Sequence, residues 1–204
     1  MPVSHSLDCS RGTLSTRLLT LYNTSAVYSS MVERQSLEAA KHNSHMQHAL
    51  ALAERSPPKP TNFCVGAVLV NELEDEVVST GYTLELEGNT HAEQVCFMKL
   101  SKDMQDSQDG LSQAKSMSLV LYTTMEPCSR RASGNMACVD RILSTHLLES
   151  RLQIRKVFIG VQEPEKFVGA NEGRKKLGDA GVEYVHVSGY EKRILEVATA
   201  GHLK

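Results

Sequence analysis

The chain has 204 residues, of which 41% are hydrophobic and 23% are charged; this is enough for one α/β domain and excludes disorder throughout. The formal net charge is −2, and the scattered lysines and arginines give no electrostatic reason to expect a nucleic-acid or membrane partner. No apolar run approaches the ~20 residues that span a bilayer, and no signal-peptide core lies near the start, so we expect a cytoplasmic protein.

The first thirty residues are rich in serine and threonine and lack a long apolar period. We interpret residues 1–30 as a loosely ordered extension and residues 31–204 as the folded domain. Arg11 and Arg17, with the single acid Asp8, leave an organelle-targeting segment as an alternative. From Met31 onward, apolar residues recur at helical spacing until Pro57-Pro58 ends the run, namely Leu37, Ala40, Met46, Ala49, Leu50 and Ala53.

The rest of the chain alternates between strand and helix patterns. Two apolar strands joined by an acidic turn predict a hairpin, over residues 63–70 and 76–82. The following elements are predicted in chain order as a helix over 91–100, a strand over 118–123, a helix over 136–148, a strand over 155–161, a helix over 172–180, a strand over 182–187 and a helix over 190–200. This order predicts a three-layer α/β/α sandwich with a mixed sheet of about five strands.

Three short segments carry residues that suit metal chemistry: His91-Ala92-Glu93, Pro127-Cys128 and Cys138. A hydrolytic zinc site needs three protein ligands and one open position, together with a carboxylate that does not bind the metal and can move protons. His91, Cys128 and Cys138 are the predicted Zn²⁺ ligands, and Glu93 is the predicted catalytic proton carrier. Both thiols fall near a predicted helix start, where the partial positive charge favours thiolate.

The other cysteines and a stripe of histidines are the competing candidates for metal binding. An odd count of five cysteines without a secretory signal favours reduced thiols over a disulfide framework. Cys64 and Cys96 fall inside a predicted strand and helix, so we expect both to be packing residues. His42, His45 and His48 recur every three residues on the first helix with no acid between them. We interpret this stripe as solvated or facing a partner.

The metal segments resemble the cytidine and deoxycytidylate deaminase superfamily, with one departure. The usual second element is Pro-Cys-x-x-Cys, whereas nine residues, Ser129 to Ala137, separate the two cysteines here. This insert is similar to that of the deaminases of riboflavin biosynthesis, and EPCSRRASGNMACVDRIL and GNTHAEQ resemble the fungal type. The resemblance extends from about Met31 to the end, through segments such as Gly160-Val-Gln-Glu-Pro164.

The resemblance implies how a substrate would be held. Asn62 and the loop of Gly88, Asn89 and Ala92 would contact a pyrimidine. The insert would close over a phosphorylated sugar-like tail, through Ser129, Arg130, Arg131, Ser133 and Asn135. Guanidinium groups suit phosphate oxygens, although one or both arginines facing solvent is an equal alternative.

The resemblance further implies a reaction and an assembly. The reaction is loss of the 2-amino group from 2,5-diamino-6-(ribitylamino)pyrimidinone 5′-phosphate, catalysed by a homodimer. The alternatives are a deoxycytidylate or cytidine deaminase, and a non-catalytic zinc-containing partner subunit of a tRNA deaminase. A tRNA adenosine deaminase fits less well, because such enzymes have a basic surface and the short cysteine spacing.

Overall fold

The computed structural model describes residues 14–106, 117–148, 152–163 and 172–202. The elements in chain order are α1 Leu14–Ala53, β1 Gly66–Asn71, β2 Glu76–Tyr82, α2 Ala92–Asp106, β3 Met117–Met125, α3 Cys138–Leu148, β4 Leu152–Val161, α4 Gly173–Asp179, β5 Glu183–His186 and α5 Glu191–Ala198. The strands form one sheet in the order β2-β1-β3-β4-β5. The predicted sheet of about five strands is therefore confirmed.

The sheet is antiparallel on one side and parallel on the other. β1 pairs antiparallel with β2 and with β3, as the predicted hairpin requires. β3, β4 and β5 run parallel. The carboxyl ends of β3 and β4 consequently lie at one edge, the place where α/β folds commonly position functional side chains.

Helices cover both faces of the sheet. Successive side chains of a strand point to opposite faces, so the buried strands have apolar side chains on both faces that must be covered. On one face, Leu69, Leu121 and Ile159 pack with residues of α2, α3 and α4. On the other face, Val68 and Tyr122 pack with residues of α1 and α5. This arrangement is the predicted three-layer α/β/α sandwich.

The first helix is longer than its sequence pattern indicates. It begins at Leu14, whereas the apolar period predicts a start at Met31. Helix propensity is a weak guide in a serine- and threonine-rich stretch.

The chain divides into two compact units, residues 1–41 and 42–204. The first unit is helical from Leu14, and its Leu37, which belongs to the apolar period, is 70% exposed. The domain boundary at residue 31 stays a prediction.

The histidine stripe of α1 differs from the prediction. His45 is buried and His42 is half-buried, and both pack against the aromatic ring of Tyr122. His42 Nδ1 lies 2.7 Å from the Tyr122 hydroxyl, and His45 Nε2 lies 2.7 Å from a carboxylate oxygen of Asp75. Only His48 is exposed as expected. The spacing of three residues places the first two on the side of α1 that faces the sheet.

Helix α2 packs closely onto the hairpin and thereby sets the position of the His91 segment. Gly81 of β2 makes this possible, since a Cβ there would collide with the carbonyl oxygen of Ala92. Ser79 donates a hydrogen bond to the Cys96 carbonyl at 2.8 Å. Cys96 and Cys64 are buried packing residues, as predicted.

Within the described ranges, none of the helices combines the length and apolar content that crossing a bilayer requires.

Candidate metal centre and active site

The three predicted metal ligands meet where two helices begin and one strand has ended. His91 immediately precedes α2, Cys138 is the first residue of α3, and Cys128 follows β3 by three residues. One ligand atom from each lies within 4.8 Å of the others. In the part of the chain that the structure describes, they form the only such group of metal-binding side chains.

The spacing within this group fits a tetrahedral zinc ion. His91 Nδ1 lies 3.6 Å from Cys128 Sγ and 3.4 Å from Cys138 Sγ. Zinc bonds of ~2.05 Å to nitrogen and ~2.3 Å to sulfur, arranged tetrahedrally, place nitrogen about 3.5 Å from each sulfur. Nδ1 is therefore the nitrogen that would bind the metal. Two thiolates and one imidazole leave a fourth position for a reactant.

The surroundings of the thiols prepare them for a metal to different degrees. A hydrogen bond from Cys138 and another from His91 lower the pKa of Cys128 to about 4, against the effect of burial. The Cys138 backbone amide, at the start of α3, lies 3.5 Å from Cys128 Sγ and contributes to this lowering. The hydrogen bond to Cys128 and full burial raise the pKa of Cys138. Cys138 would therefore lose its proton on metal binding.

Glu93 stands beside the ligands in the first turn of α2. It is 3% exposed, and its Oε2 lies 3.4 Å from Cys138 Sγ. Burial raises the pKa of this carboxyl, with the charge of His91 acting in the opposite direction. A carboxyl of raised pKa, next to a metal position but outside its ligand group, is suited to receiving and returning a proton.

A cavity of about 410 Å³ opens above these residues. Its walls come from the segment before β1, the loop before α2, the ends of β3 and β4, the insert between the cysteines, and the turn after α5. The residues that line it are Pro60, Thr61, Asn62, Phe63, Val65, Thr83, Asn89, His91, Glu93, Met125, Glu126, Cys128, Arg130, Arg131, Ala132, Ser133, Glu163 and His202. The volume lies in the ~300–1,000 Å³ range of small-molecule sites.

Five of the nine predicted substrate residues lie on this cavity. They are Asn62, Asn89, Arg130, Arg131 and Ser133. The Asn62 side-chain amide donates to the side-chain oxygen of Asn89 at 2.7 Å, so the two asparagines act as one polar pair. The long insert between Cys128 and Cys138 forms part of the rim, as its attachment at both ends to metal ligands requires.

Four predicted substrate residues do not line the cavity. Ala92 is fully buried beneath the hairpin, where α2 begins. Ser129 accepts a hydrogen bond from the Glu172 amide at 3.2 Å. Gly88 and Asn135 are exposed. The sequence could not indicate which side chains of these loops line the cavity.

Arg131 was predicted either to bind phosphate or to face solvent, but its contacts in the structure differ from both. The residue is 9% exposed, and its guanidinium donates to the Gln94 side-chain oxygen at 2.9 Å and to the Asn89 carbonyl. Its Nε is buried without a hydrogen-bond partner among the described residues. Arg131 therefore connects the insert to the loop that carries His91. Arg130, in contrast, is exposed and faces the cavity mouth.

The cavity also contains residues that were not predicted. Glu126 and Glu163 follow the carboxyl ends of the parallel strands β3 and β4, so the sheet-edge rule could have indicated them. The Glu163 amide donates to the Glu126 carboxylate at 3.2 Å. No sequence signal points to His202, which reaches the cavity from 140 residues beyond Asn62.

Comparison with protein families matches residues 39–159 to the cytidine and deoxycytidylate deaminase zinc-binding region. Among curated proteins, the chain is similar to the diaminohydroxyphosphoribosylamino-pyrimidine deaminase of Schizosaccharomyces pombe, with 35% identity over 162 residues. The matched part is 79% of this chain and 36% of that protein, so the chain spans about a third of the length of this relative.

The chain is also similar to solved structures. The Rib2 deaminase of Aspergillus oryzae, as a C-terminal deletion mutant at pH 4.6, is 47% identical with a TM-score of 0.69, and the match covers 79% of this chain and 92% of that chain. The same Aspergillus oryzae enzyme in complex with DARIPP gives 44% identity and a TM-score of 0.69, with the same coverage.

Proposed function

The chain belongs to the cytidine and deoxycytidylate deaminase family, and from that premise we propose that it is a zinc-dependent hydrolase of riboflavin biosynthesis. It removes the 2-amino group of 2,5-diamino-6-(ribitylamino)pyrimidinone 5′-phosphate, giving the pyrimidinedione and ammonia. The observation that carries this proposal is one cavity that joins Glu93 and the His91-Cys128-Cys138 group to the long insert between the cysteines.

The chain's own residues supply the proton transfers. His91, Cys128 and Cys138 would hold the zinc, which supplies an electrophile that makes water acidic near neutral pH. Glu93 takes a proton from the attacking water and gives it to the ring nitrogen beside the reacting carbon. Glu93 then takes the second proton, from the hydroxyl that the water has added to the ring carbon, and delivers it to the departing amine, which leaves a carbonyl on that carbon. The burial of Glu93 next to the ligand group keeps bulk water away from these steps.

The other walls position the remainder of the substrate. The Asn62–Asn89 pair offers amide donors and acceptors to the polar edge of a pyrimidine. Arg130, exposed at the mouth, is the cation best placed to meet a phosphate. We assign Arg131 mainly to holding the insert against the His91 loop, because two of its donors already bond to Asn89 and Gln94.

Two other functions remain as candidates with less support. A deoxycytidylate or cytidine deaminase would use the same metal centre, but the nine-residue insert exceeds the usual two-residue spacing. A non-catalytic zinc subunit of a tRNA deaminase would not need a buried acid beside the ligands, and Glu93 occupies that place. The net charge of −2 also does not favour tRNA binding.

One set of assays separates these candidates. The purified chain would be incubated with the ribitylamino pyrimidine phosphate, with deoxycytidylate and with cytidine, while ammonia release and zinc content are measured. We expect kcat/KM to be highest by a wide margin on the first substrate, with one zinc per chain. Faster turnover of deoxycytidylate or cytidine would replace the proposal, and zinc without turnover of any substrate would favour the non-catalytic subunit.

Assembly as a homodimer belongs to the proposal. Large apolar side chains of the first unit are exposed on α1, and four of them recur with helical spacing on one face, at Val27, Tyr28, Met31 and Val32. Apolar faces of this kind commonly bind another chain. Light scattering across micromolar concentrations tests this, and a monomer throughout would refute the homodimer.

A cytoplasmic location also belongs to the proposal. All four cysteines in the described part of the chain are free thiols, as a reducing compartment requires. Two of them are the proposed zinc ligands, and oxidation of these thiols would prevent them from binding zinc. Fluorescence microscopy of the tagged full chain tests the location, and signal confined to an organelle would contradict it.

A further inference from the structure

The turn after α5, residues 199–202, contributes one residue to the lining of the cavity. His202 lines the cavity together with Asn62 and Phe63. Its Nε2 lies 3.1 Å from the Asn62 carbonyl oxygen. A carbonyl oxygen only accepts hydrogen bonds, so Nε2 carries the hydrogen and donates it. The imidazole therefore has a defined tautomer and a fixed target on the backbone of a proposed substrate residue.

Two further contacts show that this placement is built into the fold. The His202 ring lies 4.8 Å from the Phe63 ring, at an interplanar angle of 49°. The Cys64 amide donates to the Ala198 carbonyl at 3.0 Å, which joins the end of α5 to the segment before β1. The turn thus contacts Asn62 and Phe63, and the end of α5 contacts the next residue, Cys64.

Gly201 allows the turn to pack directly against the backbone of Lys59, in the segment before β1. A Cβ at this position would collide with the backbone nitrogen of Lys59 and would lie 2.7 Å from its carbonyl oxygen. Every residue except glycine would therefore separate the turn from the segment that carries Asn62. Three independent features, a hydrogen bond, a ring contact and a glycine contact, hold the same two stretches together.

The Asn62 side chain is the next link toward the substrate. Its amide donates to Asn89 at 2.7 Å, across the cavity from the turn. A shift of the Asn62 backbone would break this bond and disturb the loop before His91. The hydrogen bond and the ring contact join His202 to Asn62 and Phe63, so its influence on the reaction passes through these two residues.

We propose that His202 is a positioning residue of the deaminase site, which fixes Asn62 and Phe63 for pyrimidine binding. This inference rests on the proposed function, in which Asn62 meets the pyrimidine. Loss of the imidazole should weaken substrate binding and leave the chemical step nearly intact, because Glu93 and the ligands keep their places. The effect should therefore appear in KM rather than in kcat.

The test compares four chains: the parent, His202→Ala, His202→Gln and the control His186→Ala. His186 makes the same type of bond, from Nε2 to the Gly160 carbonyl at 2.9 Å, but it does not line the cavity. Zinc content, kcat and KM are measured with the pyrimidine that the parent deaminates fastest. One hydrogen bond corresponds to about a five- to tenfold change.

We expect His202→Ala to raise KM by about five- to tenfold with kcat within about twofold and zinc retained. His202→Gln, which keeps a donor, should recover most of this loss, and His186→Ala should leave KM unchanged. An unchanged KM in His202→Ala would overturn the inference. So would an equal loss in His202→Gln, or a fall in kcat and zinc content without a change in KM.

A substrate-free measurement keeps this inference separate from the proposed function. Hydrogen exchange of the backbone amides in residues 58–64 should become faster in His202→Ala and not in His186→Ala. Equal exchange in the two variants would overturn the positioning role, whatever the substrate is. A parent chain that deaminates none of the three pyrimidines would refute the proposed function, while the exchange result would still decide the role of His202.

Discussion

The two ends of the cavity are constructed differently. At the metal end, His91, Cys128 and Cys138 occupy the starts of two helices and the segment after a buried strand, and the two cysteines and Glu93 are almost fully buried. At the rim, Asn62, Asn89, Arg130 and Ser133 come from loops and are partly or fully exposed. The metal end is held by the sheet and its helices, whereas the rim depends on a few side-chain bonds.

This difference predicts different kinds of defect. A change at the metal end should abolish a chemical capacity, namely metal binding or proton transfer, while the fold persists. A change at the rim should alter the affinity for substrate by modest factors. The following experiments test that division, in order of the expected effect.

The largest effect is expected from loss of a metal ligand. Cys138→Ser should remove zinc from the purified chain and reduce turnover to background, because only two of the three protein ligands would remain. Elemental analysis and an ammonia assay measure both quantities. Cys96→Ala is the matched control, since Cys96 is equally buried but lies in the middle of α2, outside the ligand group. Loss of zinc from both variants would mean that replacing a buried cysteine removes zinc by destabilising the fold, and would not support Cys138 as a ligand.

Glu93→Gln should have the next largest effect. The amide keeps the size and polarity of the side chain but cannot carry the proton, so kcat should fall by roughly 10²–10⁴-fold. Zinc content should stay at one per chain, because Glu93 is outside the ligand group. Single-turnover kinetics with parallel metal analysis measure this. Near-normal turnover would show that protons travel by another route.

Arg131→Ala should lower kcat/KM by a smaller factor, because Arg131 supports both the rim and the loop that leads to the metal end. Removal of the guanidinium frees the Asn89 carbonyl and Gln94, and each charged hydrogen bond is worth about 1.5–3 kcal/mol. We expect kcat/KM to fall by roughly 10–100-fold, and Arg131→Lys to recover only part, since an ammonium cannot reproduce the planar fork. An equal loss on phosphorylated and dephosphorylated substrate would support a positioning role, whereas a loss confined to the phosphorylated form would restore Arg131 as a phosphate ligand.

Arg130→Ala should give the smallest effect, and it should depend on the substrate. We expect KM for the phosphorylated substrate to rise about tenfold, or about 1.4 kcal/mol, with kcat unchanged. The same pyrimidine without its phosphate should bind parent and variant equally. Steady-state kinetics on both substrates measure this at two salt concentrations, because an exposed charge is screened by salt. An equal response of both substrates would assign the phosphate to another group.

The histidines of α1 illustrate where periodicity misleads. His42, His45 and His48 were predicted to share one solvated or partner-facing stripe, yet the first two pack on Tyr122 and only His48 is exposed. A spacing of three residues defines a face of the helix but not what that face meets. Here the sheet supplies a tyrosine hydroxyl and the hairpin turn supplies Asp75, and both satisfy polar nitrogens that the sequence had left without partners.

The sequence by itself was sufficient to predict the fold class and to propose the zinc ligands and Glu93 as the proton carrier. It could do so because His91, Glu93 and Cys138 lie at helix starts and Cys128 follows a strand, and local patterns define those boundaries. Tertiary structure alone decided which side chains of the rim loops line the cavity and which contacts hold them there. The contacts of Arg131 with Asn89 and of His202 with Asn62 join residues that are 42 and 140 positions apart. No local periodicity encodes such contacts, because they arise only when the sheet and its helices have brought distant loops to one edge.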